Sequence, residues 1–401
     1  LIALSKYPFS DFWWYHTKNW FINNFLLESG RIIGWIPYWH FGNPLLQMYA
    51  PGSHILAIFI SKIFFIELFH AEIITNIIAF SLLILALNLF LGKYINSKLA
   101  FLSSILIAIS PRLFNEVFIQ GHYTNMLSLA FGIIGLSYIE GNNKREFFLF
   151  TIFMFLSLIT HFSFFTLLML GSILAFILMR KFSYKIILRF LLPILMAAFW
   201  LLPAIVEASF WHGTSIGLST AKTYLLSFGP FLLLILYGLY VMKKEKIDFL
   251  LVFIISLFLL SLIPLLFHYL PESASNLLQK VFVDTFKSTI TSAIFMVVPI
   301  AIGIDYLYKN HKYKKLGITL LVLFLAFSIF LDYVYVRQDA VDVIRFGGNY
   351  YPYSSYSNMY ISNYNAIKSV LYEDKRVYRL DPMIAPQLFN VYTDSGPTAP
   401  A

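Results

Sequence analysis

Cysteine is absent from all 401 residues, which excludes disulfides, thiolate metal sites and cysteine nucleophiles. Charge is scarce: Asp, Glu, Lys and Arg make up 12% of the chain, about half of what a soluble domain carries. There is no Gly-rich phosphate loop, no HExxH pair and no nucleophile elbow. An ATP-driven transporter therefore has no motor here. No Asn-x-Ser/Thr sequon occurs, so nothing points to self-glycosylation at asparagine.

What is present is apolar and long. Hydrophobic residues make up 59% of the chain, in blocks that approach or reach the roughly 20 residues a helix needs to cross a bilayer. Short Lys/Arg clusters separate these blocks. The pattern predicts an all-α polytopic membrane protein with about ten spans, near 73–92, 97–113, 123–140, 146–161, 162–179, 190–207, 222–242, 249–270, 289–308 and 316–335. The apolar run 146–179 is too long for one helix and is expected to turn back near His161. Five loops are basic: Lys93 and Lys98; Lys144 and Arg145; Arg180, Lys181, Lys185 and Arg189; Lys243, Lys244 and Lys246; and Lys309, Lys312, Lys314 and Lys315. The loops alternating with them hold only Arg112, Lys222, Lys280 and Lys287, so the first set is assigned to the cytoplasm. This topology accounts for the net charge of +9 without nucleic acid. Parity then makes 53–68, which carries Lys62 and Glu67, an interfacial or re-entrant helix on the outer side.

Three regions follow: an extracytoplasmic loop with interfacial helices (1–72), a transmembrane helical domain (73–335), and the start of a small α/β extracytoplasmic domain (336–401). The last holds a helix-like NAIKSVLYEDK and strand-like RVYRLD and QLFNVYT. Both ends read as truncations.

Ionisable residues near a membrane are functional candidates by default. In SDFWWYHTKNWFINNF, Asp11 and His16 lie about one turn apart on a helix flanked by Trp13, Trp14 and Trp20. A carboxylate there can accept a proton from an attacking hydroxyl, with His16 orienting or balancing it. Asp11 reads equally well as the cap of that helix. The segment 34–54, GWIPYWHFGNPLLQMYAPGSH, cannot be a continuous helix and is rich in aromatics. The next outer loop offers Arg112, Asn115, Glu116 and His122. Arg112 suits a lipid phosphate by its fork of donors, or snorkels from a span end. His161 lies in apolar sequence, where a histidine hydrogen-bonded between helices is the commoner reading, and Glu207 and His212 end another span.

The pattern Trp35-x-Pro37-Tyr38-Trp39-x-x-Gly42-x-Pro44-Leu45-x-x-x-Tyr49-x-Pro51, preceded by Asp11 and His16, resembles the first outer loop of the 6-pyruvoyl-tetrahydropterin synthase-related membrane domain family, which belongs by architecture with the GT-C glycosyltransferases. The resemblance continues through Ser110-Pro111-Arg112, Gly121 and Thr160-His161. It implies a GT-C-like membrane enzyme that takes a sugar from a polyprenyl-phosphate-linked donor and transfers it to an envelope glycan, lipid or protein on the extracytoplasmic side. Asp11 would be the base. His16, Glu116 and His161 would line the site, and Arg112 would meet the donor phosphate. Trp35, Trp39, Tyr49, His122, Glu207 and His212 would contact substrate. No cofactor is expected, and a divalent metal is not favoured, because one acidic residue per loop supplies few of the oxygen ligands a hard cation needs. The alternatives are a secondary transporter or flippase of lipid-linked glycans and a non-catalytic envelope-assembly protein. No internal repeat or matched pair of broken helices supports the transporter.

Overall fold

The computed structural model describes residues 12–23, 27, 30, 34–36, 43–45, 50–114, 116–117, 121–141, 143–206, 229–267 and 285–345. Asp11, Trp39, Tyr49, Glu207, His212 and the expected α/β region beyond 345 lie outside them, and Trp35 and Arg112 are described in their backbone alone. Apart from one two-stranded ribbon, the described chain is helical. It divides into two compact units: residues 1–76, 118–122 and 333–401, and residues 77–117 with 123–332.

The first unit opens with α1 (Phe12–Phe21). Strands β1 (Gly34–Ile36) and β2 (Asn43–Leu45) pair antiparallel, Trp35 opposite Pro44, so these two described stretches of the proline- and glycine-rich segment are extended. α2 (Gly52–Phe64) packs on α1. It buries Ser53, His54, Ala57 and Ile58 and leaves Ile55, Phe59 and Ile63 exposed on another face. Its 13 residues reach about 20 Å, short of a ~30 Å hydrocarbon core. Phe65 ends it in the left-handed region at φ 52°, its N–H returning to the Ser61 carbonyl. Then α3 (Leu68–Leu91) begins, with Glu72, Thr75 and Asn76 buried in its first two turns.

In the second unit α4 (Ser97–Ala108) is capped by Asn96, whose side chain accepts from the Leu99 N–H. After α5 (Pro111–Phe114) and α6 (Tyr123–Leu136), α7 (Lys144–Thr160) and α8 (Phe162–Leu178) are joined by His161 alone, extended at φ −161°, ψ 108°. The turn lies where the length of the apolar run placed it. The expected span 190–207 is broken at Ala197 into α9 (Tyr184–Met196) and α10 (Ala198–Val206), each with an internal proline. A 3₁₀ turn at Gly229–Phe231 leads into α11 (Leu232–Lys244), and α12 (Asp248–Phe267), α13 (Thr285–Lys309) and α14 (Lys314–Arg345) complete the described chain.

α13 is the packing centre of this unit, touching α4, α5, α8, α11 and α12. Gly238 of α11 lies so close to α13 that a Cβ there would meet the Pro299 carbonyl. α6 meets α7 through Ser128, Gly132 and Gly135, small residues that let two backbones approach without water. An aromatic cluster of Phe90, Tyr94, Phe249, Phe253 and Phe295 fills the space between α3, α12 and α13, with Tyr94 stacked on Phe249 at 5.4 Å and Phe253 edge-on to Phe295 at 5.3 Å.

Among the described residues, Leu68–Leu91, Ile290–Lys309 and Lys314–Val334 are long and apolar enough to cross a membrane. The helices at 97–108, 123–136 and 162–178 are apolar but shorter than the spans expected there.

Candidate functional site

Burial of Glu72 organises the first unit. Its carboxylate is fully buried, a position that costs several kcal/mol unless donors replace water. Two donors do. Asn19 Nδ2 donates to Oε1 at 2.6 Å and His16 Nδ1 to Oε2 at 2.9 Å. Asn19 in turn accepts at Oδ1 from His54 Nδ1, also at 2.6 Å. Helical periodicity sets this up. His16 and Asn19 are three apart on α1, hence on one face, while His54 comes from the buried face of α2 and Glu72 from the first turns of α3. The chain of donors runs from His54 through Asn19 to Glu72, with His16 donating from the other side.

Around this relay, Tyr15 lies 6.0 Å from the ring of His54 and 6.0 Å edge-on from that of His122, and Phe69 is edge-on to His16 at 5.9 Å. Lys18 Nζ stands 6.0 Å from the Tyr15 ring. Burial first, then the charge of Lys18, holds the His54 imidazole well below its usual range, so it is neutral at neutral pH.

This geometry fixes tautomers. A carboxylate can only accept, so His16 carries its proton on Nδ1, and acid–base chemistry at this ring passes through Nε2. Neutral His54 likewise holds its proton on Nδ1, facing Asn19. Both Glu72 oxygens are engaged by these bonds. Among the described residues no three His, Asp or Glu side chains converge as a ligand set for a metal ion, and Glu72 as held here does not fit a hard cation that wants several oxygens.

The sequence reading paired His16 with Asp11. The structure bonds His16 to Glu72, and the expected pairing involves Asp11, which lies outside the described residues. His122 joins the same unit through Tyr15. Glu116 and His161 belong to the second unit. Glu116 is fully buried and accepts from Asn125 Nδ2 at 3.5 Å. The His161 ring is edge-on to Phe164 at 5.2 Å, and its carbonyl accepts from Ser128 Oγ at 3.1 Å. Ser128 also bonds the Ser157 carbonyl at 2.9 Å, so the His161 turn is tied to α6. Glu72, Asn19 and His54 were not singled out from sequence. The available signal is an acidic residue in the apolar run LFHAEIITN, a default functional candidate that lies one position before the expected span 73–92.

No family model matches the chain, and no curated protein matches it significantly, so the resemblance in the sequence motifs has no family-model match behind it. Among solved structures the chain is similar to an oligosaccharyltransferase of Archaeoglobus fulgidus in complex with zinc and sulfate, at 15% identity and a TM-score of 0.48, covering 81% of this chain and 48% of that one. It is also similar to the Archaeoglobus fulgidus oligosaccharyltransferase tethered by a disulfide to an acceptor peptide containing the NVT sequon, at 14% identity and a TM-score of 0.46, over 81% and 50% of the two chains. The chain spans about half the length of these structures. At these scores the likeness assigns no residue here a role.

Proposed function

We propose that the chain is a membrane glycosyltransferase that moves a sugar from a polyprenyl-phosphate-linked donor to an envelope glycan, lipid or protein on the extracytoplasmic side. The observation that carries this reading is the buried relay of His16, Glu72, Asn19 and His54 on the helix that follows Asp11 and on its neighbours. An apolar membrane chain has little reason to bury a carboxylate against a histidine, with a second histidine linked to it through Asn19, unless proton position matters there. In the reaction, the acceptor oxygen or nitrogen attacks the sugar C1 and loses its proton to the Asp11 carboxylate. The C1–O bond to phosphate breaks, and its electron pair leaves with the phosphate, whose charge Arg112 meets. His16, held in one tautomer by Glu72, orients Asp11 or shares its proton through Nε2. Glu116, His161, His122, Trp35, Trp39, Tyr49, Glu207 and His212 stay in this reading as residues that contact the substrates. No metal-borne step is included.

The test is transfer from a synthetic polyprenyl-linked sugar by the purified chain. Asp11→Asn keeps size and most hydrogen bonding but removes the base, so the rate should fall by about 10²–10⁴-fold at an unchanged yield of folded protein. Full activity in Asp11→Asn with reduced yield would mean that Asp11 only caps α1, and the mechanism would be wrong.

A further inference from the structure

A second feature lies far along the sequence from the relay. Pro230, Phe231, Leu234 and Tyr237, Leu307 of α13, and Leu316, Leu320, Leu323 and Phe327 of α14 line an apolar groove of about 550 Å³, within the ~300–1,000 Å³ of ligand clefts. From Leu316 to Phe327 it follows α14 for about 16 Å at 1.5 Å per residue, close to half of a ~30 Å hydrocarbon core. Aromatic rings meet along it: Phe231 is edge-on to Phe324 at 5.2 Å and to Phe327 at 5.5 Å. Leu307 and Leu316 bring the groove to the turn between α13 and α14.

That turn is cationic. Lys243 and Lys244 end α11, Lys309 ends α13, and Lys312, Lys314 and Lys315 lie in the turn and the start of α14, all exposed, against only Glu245 and Asp305 within 243–245 and 305–315. Asp305 is taken by Lys309 at 2.6 Å. Tyrosines join the lysines to the groove. Lys244 Nζ donates to Tyr306 Oη at 2.6 Å, Tyr306 is edge-on to the groove residue Tyr237 at 6.3 Å, and Lys314 Nζ stands 5.1 Å from the Tyr308 ring.

We infer that this groove binds one chain of an anionic glycerophospholipid from the cytoplasmic leaflet, with its phosphate held by Lys244, Lys312 and Lys314. An apolar groove of about one leaflet's depth, with lysines near the turn at its end, matches that shape and charge. The site is independent of the transfer chemistry, and its test does not read activity.

The full-length chain in detergent is titrated with dioleoylphosphatidylglycerol or dioleoylphosphatidylcholine, following thermal stability and bound lipid by native mass spectrometry. Phosphatidylglycerol should bind at about one molecule per chain and raise Tm, and phosphatidylcholine should bind at least about tenfold more weakly, losing roughly a kcal/mol per contacting lysine. Lys244→Gln/Lys312→Gln/Lys314→Gln should weaken phosphatidylglycerol about 10²-fold on the same scale. Because these lysines are exposed, lipid-free Tm should be unchanged. Leu320→Trp, which fills the groove and leaves its charge intact, should abolish one-to-one binding. Equal binding of both lipids, wild-type binding by Leu320→Trp, or a dimer whose formation excludes lipid would each overturn the assignment.

Discussion

Among single residues, Glu72 and its partners carry the most chemical information. The His54 imidazole is held below its ordinary 6.5 by burial and then by Lys18. A base with a depressed folded pKa stays neutral in the fold but gains a proton on unfolding. Its contribution to stability is therefore present above about 6.5 and is lost as pH falls below it. Wild-type Tm in detergent should drop as pH is lowered from 6.5 toward 5. His54→Gln can still donate to Asn19 but cannot titrate, and it should flatten that part of the profile; an unchanged slope would move the pH sensitivity elsewhere. Glu72→Gln replaces one acceptor oxygen with a donor facing the N–H of Asn19 or His16, so it should destabilise by about 1–3 kcal/mol in a denaturation series. Asp11 and His16 could be read as candidates because aromatic anchors and a known motif surround them. Glu72, Asn19 and His54 could not, because their meeting depends on α1, α2 and α3 packing together, which one-dimensional spacing does not encode.

Helices show a different balance. The break at His161 was readable from length alone, since no single membrane helix accommodates 146–179. The break at Ala197 was not foreseen, because hydropathy is blind to prolines in an apolar run, here Pro193 before it and Pro203 after it. Helix contacts were not read from the sequence. Ser128, Gly132 and Gly135 form a small-residue face, and α6 uses it against α7. Gly238 gave no such sign, yet it is where α11 meets the Pro299 carbonyl of α13. Gly238→Ala should force these helices apart and cost about 1–3 kcal/mol, the usual penalty of overpacking, read as lower Tm and lower yield. Gly30, around which a Cβ would meet nothing within 4 Å, is no control, because its φ of 71° favours glycine on its own account.

For the whole molecule, the absence of cysteine makes topology directly measurable. Single cysteines at Asn142, Lys181 and Lys244 should resist an impermeant thiol reagent in intact cells, and cysteines at Ser215, Ser275 and Ser355 should react. Labelling of the first group would reverse the orientation and remove the reason for keeping 53–68 out of the count of spans. The division of labour on α2 has a kinetic consequence. Ile55, Phe59 and Ile63 point outward on the same short helix that holds His54 inward, so about one helix diameter, roughly 10 Å, separates the relay from that outward face. A reactant carried in lipid is then met at a rate set by its mole fraction in the bilayer. If the chain takes a sugar from a lipid-borne donor as proposed, adding inert lipid to proteoliposomes should slow turnover even when the bulk concentration of every component is unchanged.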